Sequence, residues 1–138
     1  MNELQQSPVE QKAAMENQLA TKAVLVVEDD INIGMFLVMA IEEEAQHHVL
    51  LATDGVEALR FVQSIKPQLF ILDQQLPSMS GLELYDHLLS VDGVKETPVL
   101  FVSANPPVQE FRKRNLQYLK KPFDLDDLLQ TVDLLLED

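Results

Sequence analysis

From Ala23 onward the chain alternates between short, wholly apolar runs and longer stretches whose apolar residues recur at helical spacing. Ala23-Val24-Leu25-Val26-Val27 is a β-branched run that stops at Glu28-Asp29-Asp30, and Asn32 to Glu44 follows as a helix. Val49-Leu50-Leu51-Ala52 is a second strand. The helix from Val56 to about Ser64 then places Val56, Leu59, Phe61 and Val62 mostly on one side. Leu69-Phe70-Ile71-Leu72 is the third strand, because an unbroken apolar run between Pro67 and Pro77 favours a sheet interior over a helix. The next helix carries Leu82, Leu84, Tyr85, Leu88 and Leu89. Val99 to Val102 is the fourth strand and Gln117 to Lys120 a brief fifth. In the last helix Leu125, Leu128, Leu129, Val132, Leu135 and Leu136 follow helical spacing, with Asp124 placed to cap its start. This alternation predicts one α/β domain, a doubly wound five-stranded parallel sheet covered on both faces.

Residues 1–22 are polar and hold no strand-like run. Ser7-Pro8-Val9-Glu10 has the form of a capping box, and Gln11 to Leu19 is rich in helix formers without a clean apolar stripe. The segment is either a frayed tail or a short helix, and the folded domain spans 23–138.

The chemistry lies where the strands stop. If the strands are parallel, their carboxyl ends share one edge of the sheet, where ligands gather in such folds. Strand one brings Glu28 and Asp29 there, strand three Asp73, strand four Ser103 and strand five Lys121. Carboxylates crowded together repel, and a hard divalent cation relieves them; Mg²⁺ prefers oxygen ligands with several retained waters. Ser103 and Lys121 suit a phosphoryl group, holding its oxygens while Asp73 attacks in line as the nucleophile. Each residue alone has a plainer role. Asp29 or Asp30 can be a helix cap, Ser103 and Asp73 turn residues, Lys121 a solvated surface charge. For Asp30 the cap is the preferred role.

Composition narrows the field. The chain has 138 residues, no cysteine and a formal net charge of -13. Disulfides, thiolate zinc sites and cysteine nucleophiles are thereby ruled out, which fits a cytoplasmic protein. The acidic field repels nucleic-acid phosphates and anionic lipid, so neither is an expected partner. The longest apolar run, Met35 to Ile41, is too short to span a bilayer. The one dense basic run, Arg112-Lys113-Arg114, lacks groove-reading company and reads as a solvated face. His47 and His48 lie away from the strand ends and are assigned no role.

Taken jointly, the strand-end residues resemble the response-regulator receiver domain of two-component signalling, from about Ala23 to the end of the chain. The matching stretches are Val26-Val27-Glu28-Asp29-Asp30, Asp73 with Pro77 and Gly81, Val102-Ser103-Ala104, and Tyr118 ahead of Lys121-Pro122-Phe123. The resemblance implies a flavodoxin-like strand order 2-1-3-4-5, phosphorylation of Asp73, and an Mg²⁺ site formed by Asp29, Asp73 and the Gln75 carbonyl, with Glu28 acting partly through water. It makes Lys121 the phosphate-binding lysine and Ser103 with Tyr118 the switch pair. It implies a cis Lys121–Pro122 bond. The expected donor is a sensor histidine kinase or a histidine phosphotransfer domain, and the output is protein–protein interaction, with a homodimer as one form.

Departures from the family pattern sharpen the expectations. The segment from Ser103 to Lys121 is about a turn short and starts Asn105-Pro106-Pro107, so the fourth helix should be short or irregular. The first helix is apolar nearly all round. Ile33, Leu37 and Ile41 can serve the core, leaving Met35, Val38 and Met39 as an outward docking or dimer patch, or one covered by the N-terminal segment. The expected activity is the domain's own aspartyl phosphorylation and dephosphorylation, not turnover of a separate substrate. One rival is a binding module that works without phosphorylation. Another is an aspartyl-phosphate phosphatase, which would need a second acid where Gln75 stands. The Met1 start favours a natural single-domain protein over a receiver cut from a longer regulator.

Overall fold

The structure is a computed structural model that describes Pro8 and residues 22–137. The capping box at Ser7 and the helix over Gln11 to Leu19 fall outside the described residues, apart from Pro8.

Five parallel strands form one sheet in the order β2-β1-β3-β4-β5. They are β1 Ala23–Val27, β2 His48–Ala52, β3 Leu69–Asp73, β4 Val99–Ser103 and β5 Gln117–Lys120. The helices are α1 Ile31–Ala40, α2 Gly55–Phe61, α3 Gly81–Leu88, α4 Val108–Lys113 and α5 Leu125–Leu136. The central strands are buried on both faces, so alternate residues feed two cores. Val24, Val26, Ile71, Leu100 and Val102 meet Leu37 from α1, Ile41 just after it, and Leu128 and Val132 from α5. Leu25, Phe70, Leu72 and Phe101 meet Ala58, Val62, Leu84, Leu88 and Phe111 from α2, α3 and α4. Local chemistry fixes the helix starts. Asp54 caps α2 through the Glu57 N–H at 2.7 Å, and Ser80 and Glu83 form a reciprocal capping box on α3.

The structure departs from the sequence expectations on α1, on α2 and at the start of α5. Val38 points inward at 8% exposure, while Ile33 is 41% exposed. The buried residues of α1 are Gly34, Leu37, Val38 and Ala40, continued by Ile41 just beyond it, because Gly34 lets Leu51 approach; a Cβ there would stand 2.8 Å from its side chain. Leu37 and Ile41 serve the core as expected, and only Ile33 and Val38 exchange places. Beyond Ala40 the chain widens into a π-helical turn, Ile41–Ala45. On α2, Val56 is half exposed and Ala58 takes the core position beside Val62. Asp124 precedes α5, but its side chain makes no capping bond.

The fourth helix is short, as the two prolines required: α4 has six residues and starts after Pro107. Phe111 anchors it, stacked between Phe101 and Tyr118 with ring centroids 4.8 and 5.2 Å away. Arg114 departs from the expected solvated face. It donates to Asp86 at 2.6 Å and sits 5.1 Å over the ring of Tyr85, tying the end of α4 to α3. Phe111→Ala should cost roughly 3–5 kcal/mol, seen as a lower urea midpoint with an unchanged slope. A loss under about 1 kcal/mol would mean that α4 is held by something other than this stack.

Candidate functional site

Parallel pairing brings the strand ends together. Glu28 follows β1 at once, its N–H still bonded to the Ala52 carbonyl at 3.0 Å, and its carboxyl group is buried. Asp29 is exposed beside it, while Asp30 turns away to cap α1, accepting from Asn32 and Ile33 at 2.9 and 3.1 Å. Asp73 ends β3, and Ser103 ends β4; both are buried. Lys121 follows β5, its N–H bonded to the Ser103 carbonyl at 2.8 Å and its peptide bond to Pro122 cis.

The Lys121 ammonium donates to Glu28 Oε1 and Asp73 Oδ2, each at 3.1 Å. Asp73 Oδ1 accepts the Gln75 N–H at 3.0 Å, and Glu28 Oε2 accepts the Asp30 N–H at 3.2 Å. The loop after β3 is tied down by Gln74. Its carbonyl accepts from Gly81 at 3.0 Å, and its side-chain oxygen accepts from the Leu82 N–H at 3.0 Å. Gly81 is required there, since a Cβ would fall 2.6 Å from the Asp73 carbonyl oxygen. Ser103 donates its hydroxyl to Gln75 Oε1 at 3.2 Å and accepts the Asn105 N–H at 3.1 Å.

Glu28, Asp29 and Asp73 each offer a carboxylate oxygen, and these oxygens lie within 4.8 Å of one another. Three hard oxygen donors against one ammonium leave an excess of negative charge, so the set fits a small hard divalent cation. The electrostatics record the crowding. Burial pushes the Glu28 carboxyl up to about 7, against the Asp30 N–H, with Asp73 adding to the rise and Lys121 opposing it. Burial works to lower the Lys121 ammonium, but its bonds to Asp73 and then Glu28 outweigh that and raise it.

The remaining candidates stand apart from this cluster. Tyr118 pairs with Phe101 in the sheet register, half buried, its ring against Phe111. Met35 and Met39 are 45% and 53% exposed on α1, joined there by Ile31 and Phe36, whereas Val38 is buried. The sequence suggests the Gln75 carbonyl as a ligand and its side chain as no acid, and neither expectation includes a bond to Ser103. The grip of its side chain on Ser103 depends on a loop conformation that no spacing rule announces.

A doubly wound sheet that gathers an acidic pocket and a lysine at its carboxyl edge has its candidate site where open α/β sheets bind their ligands. The model of the response regulator receiver domain matches residues 24–133, and the chain belongs to that family. The response regulator MprA of Mycobacterium ulcerans is 36% identical over 118 residues, 82% of this chain and 49% of that protein. The chain thus spans about half the length of that relative. The chemotaxis protein CheY4 of Vibrio cholerae has a TM-score of 0.76 at 30% identity, covering 84% of this chain and 99% of its own. The response regulator TrrA of Thermotoga maritima, solved in complex with Mg(2+)-BeF, has a TM-score of 0.71 at 29% identity, covering 83% and 99%. No described helix is long and apolar enough to cross a membrane.

The pH dependence of stability follows from Glu28. Its folded carboxyl group titrates near 7 against an ordinary 4.5, so the stability it contributes is complete below 4.5 and lost as pH rises through about 7. The raised Lys121 acts in a separate window, losing its contribution only above 10.5. Melting of the metal-free protein should therefore show a component that falls between pH 4.5 and about 7 and that Glu28→Gln removes. Equal slopes for both proteins over that window would refute the assignment.

Proposed function

We propose that Asp73 accepts a phosphoryl group from a phosphohistidine, carried by a sensor histidine kinase or a histidine phosphotransfer domain, in an Mg²⁺-dependent reaction. The observation that carries this reading is the ammonium of Lys121 shared between Asp73 and Glu28 at 3.1 Å inside a three-carboxylate cluster. Asp29, Asp73 and the Gln75 carbonyl would hold the ion, with Glu28 acting partly through water. When bound, Mg²⁺ supplies charge neutralisation for the phosphoryl oxygens.

An Asp73 carboxylate oxygen forms the new O–P bond as the P–N bond to the donor imidazole breaks, its electron pair returning to the ring nitrogen. The part-buried Lys121 is fixed by its neighbours, so it meets the incoming negative charge without reorganising. Ser103 turns its hydroxyl to a phosphoryl oxygen, and the space it leaves admits the ring of Tyr118. Output then passes through protein partners at the surface of α4 and β5. The phosphatase alternative has no support, because Gln75 offers no acid. Phosphorylation-independent binding is an outcome of the test.

Incubation with acetyl phosphate and Mg²⁺ should add one phosphoryl group by intact mass, absent without Mg²⁺ and absent in Asp73→Asn. Lys121→Ala should slow the addition roughly 100-fold. No addition, under conditions that label a working receiver, would replace this reading with constitutive binding. Donor docking is assigned to the exposed face of α1. Met35→Glu should slow transfer from the phosphohistidine donor about tenfold or more while leaving labelling by acetyl phosphate unchanged. Equal loss with both donors would remove docking from α1.

A further inference from the structure

We propose that the side chain of Gln75 is a positioning residue that holds Ser103 in its resting place and sets how readily the domain responds to phosphorylation. The inference rests on the phosphoacceptor reading of Asp73 and adds a restraint to it.

Gln75 touches both ends of the switch. Its N–H donates to Asp73 Oδ1 at 3.0 Å, and its side-chain oxygen accepts from the Ser103 hydroxyl at 3.2 Å. Ser103 is fully buried, and its hydroxyl makes one donated and one accepted bond. The Asn105 N–H takes a lone pair of the hydroxyl oxygen, so the single hydroxyl proton goes to Gln75. The Ser103 carbonyl is taken by the Lys121 N–H. No buried side-chain polar atom among the described residues lacks a partner, and for the donor of Ser103 that partner is Gln75. An unpaired buried hydroxyl is costly, so Ser103 has reason to stay where Gln75 holds it.

The restraint also has to yield. Gln75 is exposed, so water competes for its amide and its flexible side chain loses rotamer freedom in holding Ser103. A phosphoryl oxygen is an anionic acceptor, and hydrogen bonds to ions are roughly twice as strong as neutral ones. Phosphorylation therefore takes the hydroxyl from Gln75. Through the Ser103 hydroxyl at the end of β4, this bond and the one from the Asn105 N–H link the loop after β3 to the loop after β4. Its release frees the approach to α4 from the loop that follows the phosphoacceptor. Without the Gln75 acceptor, the unphosphorylated domain populates the switched arrangement more often.

The test compares wild type, Gln75→Leu, Ser103→Ala and the double variant by amide NMR, before and during titration with BeF in the presence of Mg²⁺. Leucine keeps the bulk and the backbone carbonyl while removing the acceptor. In Gln75→Leu, the amide signals of Asn105, Tyr118 and Lys121 should move part of the way toward their BeF-bound positions before any BeF is added. The midpoint of the titration should fall severalfold. In the Ser103→Ala background the leucine substitution should shift neither, which separates a grip on the hydroxyl from a general effect on the loop. Resting signals that stay put in Gln75→Leu, or an equal shift in the Ser103→Ala background, would overturn the proposal. A wild type that responds neither to BeF nor to acetyl phosphate would overturn the phosphoacceptor reading along with it.

Discussion

Parallel strands deliver their end residues to one place whether or not the charges there agree, and here they deliver three carboxylates. The ammonium of Lys121 makes the arrangement tolerable in the absence of a cation, bonded at once to Glu28 and Asp73. It holds the ends of β1, β3 and β5 together across the sheet. Its reach depends on the Ser103 carbonyl fixing its backbone, and so on β4 as well. The pocket is thus a property of the whole sheet edge. A pocket balanced in this way, with one carboxyl already pushed up to about 7, is poised for added positive charge or for a group that gives Lys121 a new partner.

Much of this was legible in the sequence because the two periodicities are clean. Apolar runs ending on polar residues marked the strands, and strand ends in a parallel sheet converge by geometry, so Glu28, Asp29, Asp73 and Lys121 could be grouped before any coordinates. The short α4 followed from Pro106 and Pro107. What escaped was set by contacts between elements. The inward face of α1 turned on Gly34, which contributes no side chain and so left no mark in the apolar pattern, though it is where Leu51 packs. Arg114 looked like surface charge until Asp86 and Tyr85 arrived from another helix. The side-chain role of Gln75 depends on a loop that Gln74 and Gly81 shape.

The two cores constrain what can move. Phe101 and Val102 face opposite layers of helices, and the strand they belong to ends at Ser103. Shifting that strand would disturb both layers, so motion at the site is confined to side chains and to the loops beyond the sheet edge.

Those loops do not move with equal freedom, and α4 shows why. Its C-terminal end is pinned to α3 through Arg114, and its middle is pinned by Phe111. Its N-terminal end, after Pro107, has no side-chain cap and follows Asn105, whose N–H is bonded to the Ser103 hydroxyl. Mechanically this is a short beam clamped over its C-terminal half and free at the end beside the pocket. A small displacement beside the pocket bends the free approach instead of sliding the helix, and the surface that yields most easily lies next to the strand-end pocket.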